Sequence, residues 1–514
     1  MKKLFLLIML TSLAPGLPSA KEVTYFQNPV IRGEMADPSI IRIKNTYYAT
    51  GTSSEWAPFF PVYTSKDLVN WNLRGHIFDK KPEWTSNSFW APELYVLDGK
   101  VLCYYTARRK SDNVSYIGVA SAKSPLDEFT DHGPIVEYGT EAIDAFIYDD
   151  NGELYISWKA YGLDKRPIEL LASRLSADGL HLEGEPFSLL VDDENIGMEG
   201  QYHFKKGDYY YIVYSAHNCC GPGSSYDVYV ARSKSFKGPY EKYPGNPILH
   251  GGTGDYISCG HGTAVETPDG RMFYMCHAYL WDDGFYCGRQ PILQEMVVND
   301  EAWVEFPTGT LAVARQAMPF AGTTQQPVKD FHDRFTGKRL GLEWSWNYPY
   351  SDIQAKTGKG GLSLSGTAKP TNHNGTALCI RPVTPEYYYE TKVIGTNQST
   401  KGLTLYGDDQ NLVVWGVEGN RLLIKQILNG KETILWETSN DGNDIYLRIA
   451  VTKGRMLEFA YSTDGNIWTK TDIPPLDTNA TVRWDRVARP GLIHIGSPEE
   501  PARFEYFSLI NTKQ

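Results

Sequence analysis

Three acidic residues lie at matching positions in a repeated pattern and together could hydrolyse a glycosidic bond. Asp37, Asp144 and Glu199 each precede a predicted hairpin turn, at distances along the chain that differ by at most one position. Hydrolysis with inversion needs one carboxylate that activates water and one carboxylic acid that protonates the leaving oxygen, roughly 6.5–9.5 Å apart. A third carboxylate close by can raise the pKa of the acid by like-charge repulsion. The spacing therefore predicts this chemistry, provided that the repeat brings the three acids together.

Two other residues occupy the same position before their turns. His261 precedes Asp269, and Trp90 precedes Asp98, at the same distance along the chain at which Glu199 precedes its own turn. A histidine there is either a hydrogen-bonded channel residue or part of a metal site, and a tryptophan either packs within the fold or stacks on a sugar face. A further aromatic residue, Trp56, precedes the apolar run 57–60 and is predicted to form part of the pocket wall.

A repeat of about 50 residues is predicted to position these side chains. Turn signals are centred on residues 45, 98, 151, 207 and 269, so their spacings are 53, 53, 56 and 62. Asp-Gly and Asn-Gly favour tight hairpins because both residue types tolerate a positive φ. Two hairpins per unit make four strands, which is one blade of a β-propeller. Five units predict an all-β fold with a five-bladed propeller over residues 21–321, and equivalent positions in its blades surround one end of the central channel.

The ends of the chain predict three further segments. Residues 1–20 combine a basic start, a short apolar run and small residues, as in a signal peptide, so the chain is expected to be exported to a periplasm or out of the cell. No later apolar run is long enough to span a membrane. Residues 322–329 are polar and form a predicted linker, and residues 330–514 show short strands that favour a β-sandwich.

Composition limits the partners of the chain. The formal net charge is −11, and the basic run beyond the N-terminus is only 108–110. A nucleic-acid surface needs more clustered basic residues, so nucleic acid is an unexpected partner and a neutral substrate suits the chain better. Seven cysteines in 514 residues, without metal-finger spacing, predict mostly buried thiols and at most one bridge.

The segments around the candidate residues resemble glycoside hydrolase family 43. The motifs that carry this resemblance are Ala36-Asp37-Pro38-Ser39, Trp90-Ala91-Pro92-Glu93, Ile143-Asp144-Ala145-Phe146, Met198-Glu199-Gly200 and Gly260-His261-Gly262. The resemblance implies a five-bladed propeller with β-xylosidase, α-L-arabinofuranosidase or arabinanase activity. The C-terminal segments 331–335, 340–346, 461–465 and 502–507 are similar to the concanavalin-like sandwich of β-xylosidase-like members, in which a sandwich loop can help to close the propeller pocket.

The same resemblance implies a role for each site residue. Asp37 would be the general base, Glu199 the general acid, and Asp144 the residue that orients the acid and tunes its pKa. His261 would organise a bound metal ion, often calcium, through water. Arg289, in the segment 288–290, would be a substrate-pocket arginine. No organic cofactor is implied.

The expected activity is removal of a terminal pentose, α-L-arabinofuranose or β-D-xylose, from plant cell-wall polysaccharide or oligosaccharide. The pocket loops, not the three acids, decide between these sugars, so the sequence leaves both open. The alternatives are a galactose-directed exo-hydrolase of the same family and a non-catalytic carbohydrate-binding propeller. A retaining fructan-type hydrolase would need carboxylates roughly 5–5.5 Å apart, and a phosphorylase would need a more basic phosphate pocket.

Overall fold

A computed structural model describes residues 23–160, 167–395, 397–442, 444–482 and 487–512. The predicted signal peptide, residues 1–20, lies outside these ranges. Within them the chain is almost entirely β-structure, with strands numbered β1–β38 in chain order. The helical elements in the described ranges are two short 3₁₀ helices, Asp282–Cys287 and Asn479–Thr481. None of the described helices has the length and apolarity needed to cross a membrane.

The N-terminal domain is a ring of antiparallel sheets in which neighbouring strands follow chain order. In the described residues, blades one to three contain β2 (Ser39–Ile43), β3 (Thr46–Thr50), β4 (Phe59–Ser65) and β5 (Asn72–Phe78); β6 (Trp90–Leu97), β7 (Lys100–Arg108), β8 (Ser115–Ala122) and β9 (Thr130–Val136); and β10 (Ala142–Asp150), β11 (Glu153–Ala160), β12 (Glu169–Arg174) and β13 (Phe187–Val191). Blades four and five contain β14 (Glu199–Lys206), β15 (Tyr209–Ala216), β16 (Asp227–Ser233) and β17 (Glu241–Lys242); and β18 (Tyr256–Glu266), β19 (Met272–Leu280), β20 (Gln290–Val298) and β21 (Val304–Glu305). The predicted five-bladed propeller is confirmed.

Hairpin turns at the predicted positions join the first two strands of each blade. Lys44, Asp98, Asn151 and Gly207 open four of these turns with φ between 48° and 58°. Positive φ at such positions suits the twist of a two-residue hairpin. The turn residues visible in the sequence therefore mark the position of the first hairpin in each blade.

The two ends of the propeller chain meet beside blade one. Strand β1 (Tyr25–Gln27) pairs antiparallel with β22 (Arg315–Ala317). Phe26 is 2% exposed and packs in one cluster with Ile40 of blade one and Phe273 of blade five. Apolar packing between the first and last blades thus closes the ring.

The C-terminal domain is a sandwich of two antiparallel sheets, as predicted. In the described residues one sheet contains β23 (Phe331–Asp333), β25 (Ser351–Gly358), β26 (Gly361–Ala368), β28 (Tyr387–Val393), β33 (Ile445–Thr452), β34 (Met456–Ser462), β35 (Thr469–Lys470), β36 (Leu476–Asp477) and β38 (Ala502–Asn511). The other contains β24 (Ser345–Trp346), β27 (Thr376–Cys379), β29 (Thr400–Asp408), β30 (Asn411–Glu418), β31 (Arg421–Leu428), β32 (Lys431–Ser439) and β37 (Arg489–Ile495). Fully buried Trp344, Trp415 and Tyr389 lie in the core between them.

The two domains are joined by direct contacts. Residues 322–329, all of them described, form no helix or strand, and Gln325 Oε1 accepts a hydrogen bond from the backbone of Gln27 at 2.9 Å. Ala57 of the propeller and Trp346 of the sandwich form an isolated β-bridge, and Tyr348 packs edge-on against Phe59. The sandwich therefore lies against blade one, which carries Asp37.

Truncation of Phe26 tests the closure of the ring. Phe26→Ala is expected to lower the free energy of unfolding by about 3–5 kcal/mol because it leaves a cavity between the first and last blades. Chemical denaturation of the full chain measures this loss. Ile467→Ala is the control, since Ile467 is 76% exposed, and equal stability of the two variants would contradict the proposed closure.

Candidate active site

One residue within or just before the innermost strand of each described blade has a left-handed backbone. These residues, with φ between 41° and 62°, are Asp37, Ala91, Asp144, Gly200 and His261. In blades two to five a register shift of the first hairpin coincides with them. A β-bulge bends the strand and re-aims its side chains. The bulges therefore direct this ring of positions towards one end of the channel.

The bulge position differs by one residue from the prediction in two blades. Asp37, Asp144 and His261 occupy it, but Ala91 and Gly200 do so instead of Trp90 and Glu199. In blades one to four the first turn residue follows the bulge residue at one constant spacing, and the sequence count for Trp90 and Glu199 ended one position before the bulge. Gly200 is required there, because a Cβ would lie 2.7 Å from Cγ of His261.

Trp90 and Glu199 accordingly pair as ordinary strand residues before the bulge. Trp90 is opposite Thr106, and its partly exposed ring lies 5.7 Å from the guanidinium carbon of Arg108. Glu199 is opposite Ser215. The stacking role of Trp90 on a sugar stays a prediction.

Side chains of the neighbouring blade accept a hydrogen bond from the backbone N–H of each of these five residues. The acceptors are Thr52 Oγ1 for Ala91, Thr106 Oγ1 for Asp144, Asp144 Oδ2 for Gly200, Ser215 Oγ for His261 and His277 Nδ1 for Asp37, at 2.7–3.2 Å. Because these bonds link one blade to the next, the positions of the candidate side chains depend on the packing of the whole ring.

Asp37 lies in a strongly electropositive environment. Its Oδ1 is 3.3 Å from Arg289 Nη1, 3.3 Å from His277 Nδ1 and 3.5 Å from His261 Nδ1, and its Oδ2 accepts the hydroxyl of Thr52 at 2.5 Å. Burial alone would raise the pKa of Asp37, but the charge of Arg289, with His261 beside it, holds this pKa well below its usual value. Asp37 is therefore a carboxylate over the whole neutral range.

The other two acids form a pair with opposite tendencies. Burial raises the pKa of Asp144 to about 7, and the negative charges of Glu199 and Asp37 add to this effect. Burial also opposes ionisation of Glu199, but Lys159 Nζ at 3.1 Å outweighs it and lowers the pKa of Glu199. The proton of the pair therefore lies mainly on Asp144, whereas the sequence predicted Glu199 as the protonated member.

Two residues that the sequence did not single out complete the site. Lys159 bridges Glu199 and Glu141, with its Nζ 3.4 Å from the latter. Tyr226 donates its hydroxyl to Glu199 Oε1 at 3.0 Å and stacks on His277 with ring centroids 5.6 Å apart. Lys159 lies on β11, the second strand of blade three, and Tyr226 lies directly before β16, the third strand of blade four. Neither position recurs at a regular spacing from the turns, so the sequence pattern does not identify them.

His277, on the second strand of blade five, is 1% exposed. His277 also accepts a hydrogen bond from the backbone N–H of Asp37. Burial lowers the pKa of His277 to about 4, so the ring is neutral. Since its Nδ1 accepts the N–H of Asp37, its proton lies on Nε2.

Trp56 does not line the pocket. Its side chain is 4% exposed and packs in the domain interface, with its ring 5.8 Å from Tyr406 and 4.2 Å from the guanidinium carbon of Arg489. The partner of Trp56 is the sandwich and not a sugar. The predicted role of Trp56 is therefore wrong.

The described cysteines form one bridge between adjacent residues, Cys219 and Cys220. The free thiols in the described residues are all buried. The bridge lies in the loop that leads from β15 to Tyr226, and Gly221 next to it donates its N–H to the hydroxyl of Tyr279 at 3.1 Å. This loop is thereby tied to blade five beside the acids.

The donor groups around His261 determine whether the predicted calcium ion fits there. A small cavity beside the acids is lined by His261, Glu93 and Gln201, among other residues. Gln201 Oε1 is buried without a hydrogen-bond partner in the described residues, and burial raises the pKa of Glu93 to about 8. No described cluster of three His, Cys, Asp or Glu side chains could hold an ion directly. Because Ca²⁺ takes about 6–8 oxygen ligands, the site fits an ion only with water as the main ligand.

The propeller and its acid-lined channel define a glycoside hydrolase. Residues 26–304 match the family described as glycosyl hydrolases family 43, and residues 332–508 match the β-xylosidase C-terminal concanavalin A-like domain. The chain belongs to glycosyl hydrolase family 43.

Relatives extend over most of both domains. A xylan 1,3-β-xylosidase of Vibrio sp. is 27% identical over 501 residues, which cover 87% of this chain and 90% of that protein. A non-reducing end α-L-arabinofuranosidase of Bacteroides ovatus is 29% identical over 440 residues, 79% of each chain. The crystal structure of a family 43 protein of Bacillus licheniformis superposes with a TM-score of 0.82 at 20% identity, covering 95% of this chain and all of that one, which shows the shared fold.

Removal of Lys159 tests the electrostatics of the acid pair. Loss of this cation raises the pKa of both Asp144 and Glu199, so Lys159→Met is expected to keep the pair protonated to higher pH. The alkaline limb of kcat/KM on an aryl glycoside should move up by about one pH unit.

The control for this variant is Lys234→Met, since Lys234 pairs with Asp208 on the surface at 3.3 Å. Its pH profile should match that of the wild type. An alkaline limb that stays in place, or moves to lower pH, in Lys159→Met would contradict the assignment of the pair.

Proposed function

We propose that the chain is an inverting exo-glycosidase that removes terminal α-L-arabinofuranose or β-D-xylose from plant cell-wall polysaccharide or oligosaccharide. This proposal rests mainly on the different protonation states of the three acids in one channel. Asp37 is held ionised by Arg289, while Asp144 and Glu199 share a proton near neutral pH. His261 lies between the two groups, 3.5 Å from Asp37 and 3.8 Å from Asp144. An ionised base together with a protonated carboxyl group is what inverting hydrolysis needs.

In the proposed reaction Asp37 acts as the general base. It takes a proton from water while the water oxygen forms a bond to the anomeric carbon on the face opposite the leaving group. Arg289 keeps Asp37 ionised beforehand and fixes its orientation through Oδ1. Thr52 holds the second carboxylate oxygen, so the water meets a carboxylate of fixed geometry.

Glu199 is proposed as the acid that meets the leaving oxygen. Its side chain is 21% exposed, against 7% for Asp144, so Glu199 is the member of the pair that a substrate reaches. As the bond from the anomeric carbon to the leaving oxygen breaks, Glu199 gives its proton to that oxygen. A sugar that separates Glu199 from Lys159 raises the pKa of Glu199 and moves the proton of the pair onto it. That proton comes from Asp144, which is then left with a negative charge.

Relatives named for β-xylose and for α-L-arabinofuranose support a pentose in the pocket. The proposal also includes export directed by residues 1–20 and domain limits at 21–321, 322–329 and 330–514. It further includes a water-bound calcium ion near His261. Such an ion would add positive charge beside Asp37 and Asp144. Trp90 is proposed to contact the sugar face.

Hydrolysis of 4-nitrophenyl α-L-arabinofuranoside and β-D-xyloside tests the activity and selects the sugar. Asp37→Asn is expected to lower kcat by about 10²–10⁴-fold because the base is lost. Glu199→Gln should retain part of the rate on these activated substrates and lose it on an oligosaccharide with a poor leaving group. Proton NMR of the first product should show an inverted anomer.

The matched control is Asp149→Asn. Asp149 accepts the N–H of Gly152 in a hairpin turn, a bond that asparagine can keep, so full activity is expected. Undiminished hydrolysis by Asp37→Asn would remove the assigned base, and retention of the anomeric configuration would remove the inverting mechanism.

A further inference from the structure

The segment that leads into Asp37 lies between the propeller and the sandwich. On the sandwich side, Arg381 Nη1 donates to the backbone carbonyl of Glu34 at 2.9 Å, and Arg489 Nη2 lies 3.2 Å from the carboxylate oxygen Oε2 of Glu34. The side chains of Arg489 and Glu34 are only 5% and 11% exposed. A charge pair so far removed from water is costly to break, because each partner would lose its compensation.

On the propeller side, the same segment is bound by the residues around Arg289. Met35 donates its N–H to the carbonyl of Arg289, and Gly33 donates its N–H to Gln290 Oε1, both at 2.9 Å. Gly288 has φ 80°, and a Cβ there would lie 2.8 Å from Cβ of Glu34. The segment before Asp37 is therefore held tightly against residues 288–290, which include Arg289.

Arg489 itself is fixed by contacts to both domains. Its Nη1 donates to Ser345 Oγ of the sandwich at 3.0 Å, and its guanidinium lies over the ring of Trp56 of the propeller. Burial lowers the pKa of Arg489 to about 10, so it remains charged at neutral pH. A planar cation held on an aromatic face and bonded to a carboxylate has little freedom to move.

We propose that Arg489, from the sandwich, is a positioning residue for the general base. It holds Glu34 against Gly288, and this contact sets the distance between Asp37, three residues along the chain, and Arg289. Arg381 supports the same segment through its backbone. The inference rests on the proposed function, and it makes the sandwich a part of the catalytic machinery although Arg489 does not touch the substrate.

The test compares Arg489→Met, Arg489→Lys and Tyr348→Phe in the full chain, on the aryl glycoside that the wild type hydrolyses. Arg489→Met is expected to lower kcat by about 10–100-fold with KM nearly unchanged, since small misplacement of a base has effects of this size. The acidic limb of kcat/KM should move to higher pH, because Asp37 loses part of the contact that lowers its pKa. Arg489→Lys keeps the charge and should recover part of kcat.

Tyr348→Phe is the matched control. It removes the hydrogen bond from Tyr348 to the carbonyl of Ser86 across the same domain interface, away from Asp37. Its kcat and acidic limb should match the wild type even where its melting temperature falls. If Arg489→Met does not fold, Glu34→Gln supplies the same readings, since it weakens the same pair from the propeller side.

The outcomes separate the two proposals. An active wild type, an inactive Asp37→Asn and an Arg489→Met with unchanged kcat and acidic limb would overturn the role of Arg489 alone. A lower melting temperature with those unchanged kinetics would show that the contact is only structural. An Asp37→Asn variant that stays fully active, or a wild type that hydrolyses neither glycoside, would overturn the proposed function and this inference with it.

Discussion

Mutual repulsion among buried carboxylates governs how the site is built. The side chains of Asp37, Asp144 and Glu199 are 10%, 7% and 21% exposed, so little water is present to screen their charges. Ionising all three would cost far more free energy than the fold gains there, so each needs a cation or a proton. Arg289 compensates Asp37 and Lys159 compensates Glu199, and the remaining acid, Asp144, keeps a proton to about pH 7.

The same constraint explains why the neighbouring residues occur where they do. A neutral His277 can accept the N–H of Asp37 because burial keeps it uncharged. Tyr226 satisfies the second oxygen of Glu199 and at the same time packs on His277. The acids are thus linked through side chains of blades three, four and five, and the propeller supplies these links because its innermost strands converge on one axis.

Turn chemistry made much of this arrangement predictable from the sequence. The five hairpin turns, three of which are Asn-Gly or Asp-Gly, gave the blade count and placed Asp37, Asp144 and His261 in one ring. The same spacing was one residue out for Trp90 and Glu199, because Asn45 is the second residue of its turn, whereas Asp98 and Gly207 are the first residues of theirs. Lys159 and Tyr226 were not found, since second-strand and loop residues carry no repeated phase. Trp56 was misassigned because its partners, Tyr406 and Arg489, are about 350 to 430 positions away along the chain.

Charge also distinguishes the domain interface from ordinary apolar packing. Two domains that only needed to adhere could do so through contacts such as Phe59 with Tyr348. Instead Arg489 is buried against Glu34 at the one segment that carries the base, and a buried ion pair is a poor source of stability compared with apolar side chains of the same size. What such a pair does provide is a fixed geometry, since moving either partner exposes an uncompensated charge. The ionisation of the base depends on its distance from Arg289, so the base needs a rigid backbone. The interface supplies that rigidity at the segment directly before Asp37.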